Sequence, residues 1–182
     1  NTPDKEGFKK TPSRRDFLAN GIDLKKLMTE DIPPLNYAVQ PILPEGLVAI
    51  AGRPKAMKSW LMYRLCFCVE NGIKFLGHYV EKGNALYLAL EDSKRRLKSR
   101  AYKMSCEKLE NFPTTDTEAP YLGYGLEQDL LKWINAVDKP KLIVIDTLAR
   151  VKPRQTFNKG TAYDLDNELL RNLQHLAIEN NV

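Results

Sequence analysis

The sequence predicts an α/β fold, a mostly parallel sheet with helices on both faces. Three observations carry this expectation. Residues 47–51, 85–90 and 142–145 are short, near-continuous apolar runs, the pattern of strands buried on both faces. Apolar residues recur at helical spacing in the segments that follow them. A glycine-led basic segment, Gly52-Arg53-Pro54-Lys55-Ala56-Met57-Lys58-Ser59, joins the first run to the first long helix. Strands alternating with helices imply right-handed crossovers and therefore parallel pairing.

The elements follow in order. Residues 1–30 form a basic N-terminal segment, partly flexible, with Lys9, Lys10, Arg14 and Arg15 near its start. Within it, residues 13–20 suit a short helix, and Asp23 suits the cap of a helical turn over 23–28. Residues 31–182 are expected to make one domain. Pro33 and Pro34 keep the chain extended, and residues 41–46 read as a turn before the first core strand, 47–51. A helix runs from Lys58 to Asn71, where Gly72 supplies a stop. The second strand, 85–90, leads to a helix that ends near Met104, with Asp92 as its expected cap. Residues 111–120 carry Thr, Pro and acids and read as a loop, and 121–124 as a short strand. A helix over 126–137, the strand 141–146, a polar basic loop over 150–160 and a helix over 164–179 complete the chain. Residues 180–182 read as a helix end and the start of another strand, so a fragment truncated at its C-terminus is expected.

Composition narrows the classes of function. At 182 residues, 43% hydrophobic and 28% charged, the chain can bury a core without disulfides or metal. Its apolar runs are far shorter than the roughly 20 residues a bilayer span needs, so no membrane partner is expected. Three irregularly spaced cysteines fit a reducing, cytoplasmic setting. A net charge of +5 is compatible with a polyanionic partner and equally with an ordinary solvated surface.

The basic segment carries chemistry. G-x-x-x-x-G-K-[ST] wraps phosphates with backbone N–H groups at a helix N-terminus. Gly52, Lys58 and Ser59 occupy the first glycine, the lysine and the hydroxyl positions. Lys58 is placed to reach β- and γ-phosphates, and the Ser59 hydroxyl to hold Mg²⁺. Met57 stands where the second glycine belongs. A helical dihedral there lets Met57 point away, whereas a positive φ weakens binding or reshapes the loop. The plain alternative is a basic turn with a solvated lysine.

Two strand ends carry carboxylates. Asp146 closes the run 142–145, on the same sheet edge as the phosphate loop, where a carboxylate holds Mg²⁺ directly or through water. Glu91 ends the second strand and is placed to orient or deprotonate an attacking water. The alternatives are a loop cap for Asp146 and a helix-start acid for Glu91.

With these motifs in place, the chain resembles the RecA-like P-loop ATPases of the RepA/DnaB replicative helicase type, found in plasmids, phages and mobile elements. The resemblance rests on residues 51–60, 85–92 and 142–150, in the family's order, and covers about 30–182. It implies a RecA-like core, ATP with Mg²⁺ bound over Gly52 to Trp60, and hydrolysis with Glu91 as catalytic glutamate beside Lys58. It implies a homo-oligomeric ring, often a hexamer, acting on single-stranded DNA in replication or recombination. It also places Arg150, Lys152, Arg154 and Lys159 where such proteins carry a loop toward nucleic acid. A mobile solvated loop is the alternative there. The chain departs from the family at Met57, and the family's polar sensor strand and arginine finger have no counterpart up to Val182.

A degenerate P-loop scaffold or loader with little or no ATPase activity is therefore the competing reading. A small-molecule kinase needs a lid and an acceptor site that the sequence does not offer. Cys66 and Cys68 point apart on a helix and suit burial, not metal. His78 and His175 stand alone. Trp60 suits core packing or a place near a bound base, and Tyr121 to Tyr124 suit a sheet edge or base stacking.

Overall fold

The computed structural model describes residues 21–32, 34–153 and 162–182, with side chains beyond the last gap from Leu170 onward. Two compact units divide the chain, residues 1–34 and 35–182. The described part of the first holds the helical turn α1, Leu24–Leu27, whose N-cap Asp23 accepts from the Lys25 backbone N–H at 3.0 Å. The helix expected over 13–20 lies outside the described residues.

The second unit is built on a three-stranded parallel sheet. Its central strand β3, Asn84–Ala89, pairs with β4, Thr114–Asp116, on one side and β5, Pro140–Asp146, on the other. The register sets Tyr87 opposite Val144 and Ala89 opposite Asp146. Successive side chains along a strand point to opposite faces, and the two faces feed two separate cores. Ala85, Tyr87, Ala89 and Val144 pack under α2, Lys58–Asn71, and α3, Lys94–Lys103. Leu86, Leu88, Ile143 and Ile145 pack with α4, Leu126–Ala136, the short α5, Leu148–Val151, and α6, Ala162–Glu179. Helices on both faces are as expected.

α2 shows why its sequence stops where it does. Gly72 closes it at φ 61°, and its N–H turns back to the Cys68 and Val69 carbonyls. Only glycine takes that dihedral without cost. Cys66 and Cys68 are both buried free thiols. Burial pushes each thiol up, which suits packing rather than reactivity.

Four expectations are corrected. Residues 47–50 belong to no strand; Leu47, Val48 and Ile50 are between 41% and 49% exposed. An apolar cavity of about 170 Å³, lined by Val48, Ile50, Met62, Ile145 and Leu176, separates this segment from β5. A strand needs a partner edge within hydrogen-bonding distance, and none of the described strands pairs with these residues. Within residues 41–46, expected to be a turn, Leu43–Pro44 form a short strand, β2, that pairs antiparallel with β1, Tyr37–Val39. β4 lies inside the segment read as a loop; all three of its residues are exposed, so no hydrophobic pattern marks it. Residues 121–124 form a turn instead of a strand, closed by Tyr124 N–H to the Tyr121 carbonyl at 2.9 Å.

Candidate functional site

The phosphate-loop residues Gly52 to Met57 are exposed and connect residues 47–51 to α2. Lys58 opens α2 and folds back into the loop. Its ammonium donates to the Gly52 carbonyl at 2.7 Å and the Arg53 carbonyl at 3.0 Å. Nζ therefore lies within the bend that the loop makes, where an anion on the loop's N–H groups would meet it. Met57 is the residue before the helix, and no side chain caps the first turn. Uncapped N–H groups at the start of a 14-residue helix favour an anion through both hydrogen bonds and dipole.

Met57 sits at φ 62° and Lys55 at φ 64°. The position at which the consensus has glycine thus adopts the left-handed conformation that glycine takes freely. Met57 adopts it with its side chain 59% exposed and turned out of the core. The dihedral is the positive one, so this chain carries strain of about 1 kcal/mol here that glycine would not.

Asp146 ends β5 and accepts a 2.6 Å hydrogen bond from the Tyr87 phenol on Oδ2. The same phenol oxygen lies 3.4 Å from the Ser59 carbonyl in the first turn of α2. Tyr87 is fully buried and stacks on Tyr63, ring centroids 4.9 Å apart. Burial first, then the hydrogen bond to Asp146, hold its phenol protonated far above the ordinary range. Sequence reasoning passed over Tyr87 as strand filling. The signal is its spacing, four residues before Glu91 on a strand whose end meets the end of β5.

Glu91 lies in the turn after β3, and the Leu90 N–H donates to the Asp146 carbonyl at 2.8 Å, so the two strand ends lie side by side. Glu91 Oε1 is 3.7 Å from Arg150 Nε, both side chains more than half exposed. Arg150 belongs to α5, not to a loop, which corrects the expectation for the start of 150–160. Lys152 follows α5 as its C-cap residue. Arg154 and Lys159 lie outside the described residues. Asp92 is not the cap of α3. Ser93 is, through Oγ and the Arg96 N–H at 3.3 Å. Asp92 is instead paired with Arg100 and, at 3.1 Å, with Arg96. The Arg100 guanidinium in turn covers the Trp60 ring, 5.6 Å from its centroid.

The residues fit a nucleotide and a hard cation. The loop offers N–H groups and an ammonium for phosphate, and the Ser59 hydroxyl and the Asp146 carboxylate offer oxygen atoms. A small cation held by one or two carboxylates and by phosphate oxygens needs no dense cluster of protein ligands. Among the described residues, no three His, Cys, Asp or Glu side chains gather into such a cluster. No helix among the described residues is long and apolar enough to cross a membrane.

A family model described as an AAA domain matches residues 11–182. No curated protein matches the chain.

Proposed function

The chain belongs to the AAA domain family of P-loop ATPases, and from that premise we propose that it binds ATP with Mg²⁺ at Gly52 to Ser59 and hydrolyses it. The observation that carries this reading is Lys58, whose ammonium is folded into the loop at 2.7 Å from the Gly52 carbonyl, at the start of an uncapped helix. Loop N–H groups and Lys58 bind the β- and γ-phosphates. Ser59 and Asp146 are the residues to hold Mg²⁺, which when bound neutralises charge on phosphate oxygens. Glu91 orients a water and takes its proton as the water oxygen bonds to the γ-phosphorus; the bond from that phosphorus to the leaving ADP oxygen breaks.

Within the family we propose the RepA/DnaB type, a DNA-dependent ATPase of replication or recombination assembled as a ring. Arg150 supports a nucleic-acid role, because it lies beside Glu91 at the sheet edge. A specific observation favours the alternative, a scaffold or loader that turns over slowly. Met57 holds φ 62° where glycine is the rule. Lys58→Ala decides the primary reading. Binding of a fluorescent ATP analogue by the purified protein is expected to fall at least tenfold, on the scale of a lost charge-assisted contact of about 1.5–3 kcal/mol. Equal binding by wild type and Lys58→Ala would remove the phosphate-loop assignment.

A further inference from the structure

The parallel register of β3 and β5 sets Ala89 opposite Asp146. Tyr87 is two residues earlier, so it lies on the same sheet face as Asp146, on the diagonal of the pair. That face is the one covered by α2, whose first turn carries Ser59. Three segments distant in sequence thus meet at one phenol oxygen, 2.6 Å from Asp146 Oδ2 and 3.4 Å from the Ser59 carbonyl. A phenol has one proton. The short contact takes it, so Tyr87 donates to the carboxylate. Among the described residues, no hydrogen bond reaches the other oxygen, Oδ1.

We propose that Tyr87 is a positioning residue for the cation: its hydroxyl holds Oδ2 of Asp146 in place and thereby leaves Oδ1 as the cation ligand. The proposal rests on the nucleotide and Mg²⁺ reading above and adds a residue to it. The physical case has two parts. A carboxylate with both oxygens free rotates about its last torsion, and ordering it on binding costs entropy. A buried donor to one oxygen removes that rotation beforehand. The tyrosine is itself held rigidly, fully buried and stacked on Tyr63 at 4.9 Å. Hydrogen bonds from outside the ligand set orient ligands in this way, and their loss typically weakens metal affinity about 10-fold to 100-fold.

The experiment compares binding of a fluorescent ATP analogue with saturating Mg²⁺ and with EDTA, and titrates Mg²⁺ at fixed analogue. Wild type, Tyr87→Phe and Tyr63→Phe are used. Tyr87→Phe keeps the stacked ring and removes only the hydroxyl. It is expected to raise the Mg²⁺ concentration at half-effect about 10-fold, with affinity in EDTA within twofold of wild type. Tyr63→Phe, which loses a hydroxyl from the same stack without touching Asp146, is expected to leave the Mg²⁺ titration unchanged. An unaltered Mg²⁺ titration in Tyr87→Phe overturns the proposal. So does equal weakening by Tyr63→Phe, or equal loss of binding in EDTA, since either marks a packing effect. Failure of the underlying reading looks different, because wild type then binds no analogue at all and both conclusions fall together.

Discussion

Arg150 stands 3.7 Å from Glu91, Nε to Oε1, bridging the turn after β3 and the helix after β5. Both side chains are more than half exposed, so the pair contributes little to stability, on the order of 0–1 kcal/mol. In the proposed nucleic-acid role, a phosphodiester would compete for the same guanidinium. Arg150→Ala is therefore expected to leave the urea midpoint nearly unchanged. It is expected to lower the salt dependence of binding to a single-stranded oligonucleotide by about 0.7 in the log–log slope, one phosphate contact's share. A slope identical to wild type would show that Arg150 makes no backbone contact.

Met57 gives a stability prediction with the opposite sign from most substitutions. Its φ of 62° lies where a side chain crowds the following carbonyl. The side chain is 59% exposed, so removing it sacrifices little packing. Met57→Gly is expected to raise unfolding free energy by about 1 kcal/mol, read from the urea midpoint at constant slope. A titration with labelled ATP on the same pair separates the two functional readings. Similar affinity in both supports a working site, whereas tight binding only in Met57→Gly supports the scaffold.

The sequence made some of this visible and hid the rest for physical reasons. β3 was legible because both of its faces are buried, which demands an unbroken apolar run such as Ala85 to Ala89, and β5, less fully covered, carries the same kind of run from Leu142 to Ile145. α2 was legible end to end, from the loop lysine to the Gly72 stop. Residues 47–51 are as continuously apolar as Ala85 to Ala89 of β3, yet pair with no described strand, because apolar character fixes burial preference and not the partner edge. β4 is the reverse case. Thr114, Thr115 and Asp116 are exposed and polar, and only the edge that β3 presents to them makes a strand. Among candidate site residues, Lys58, Ser59 and Asp146 are singled out by spacing, and Glu91 by its place at a strand end together with the family resemblance. Tyr87 was missed because its bond to Asp146 spans 59 positions and follows from register alone.

Glu70 supplies a pH dependence. It is buried at the end of α2, with Oε1 accepting from the Ala85 N–H at 2.8 Å. Burial raises its pKa above the ordinary 4.5; the Ala85 N–H and then Lys82 oppose the shift without cancelling it. The folded state therefore holds the Glu70 proton more tightly than the unfolded chain does. Stability from this group is full below the ordinary carboxylate value and is lost as pH rises through the raised folded value. Glu70→Gln keeps an acceptor for Ala85 and cannot ionise. It is expected to be more stable than wild type at neutral pH, with the difference shrinking toward acid pH. Urea unfolding of both proteins at about pH 4 and about pH 8 reads this directly; a difference independent of pH would assign the effect to packing instead.

Asp92 was expected to cap α3, and the structure gives that role to Ser93 and a different one to Asp92. Ser93 Oγ accepts from the Arg96 N–H at 3.3 Å. Asp92, with its side chain 6% exposed, pairs with Arg96 and with Arg100, whose own side chain is 13% exposed and lies over Trp60. Removing the serine hydroxyl frees one backbone donor at the helix start, where water reaches it, at a cost of about 1 kcal/mol. Removing the aspartate leaves a mostly buried guanidinium without its anion, at a cost of about 3 kcal/mol. Ser93→Ala and Asp92→Ala are therefore expected to separate clearly in urea unfolding, with the aspartate variant the weaker. Replacing Arg100 in the Asp92→Ala background removes the stranded charge, so part of the loss is expected to return, and the double-mutant cycle measures the coupling between the two. Strict additivity of the two substitutions would mean that Asp92 acts through the turn backbone and not through Arg100.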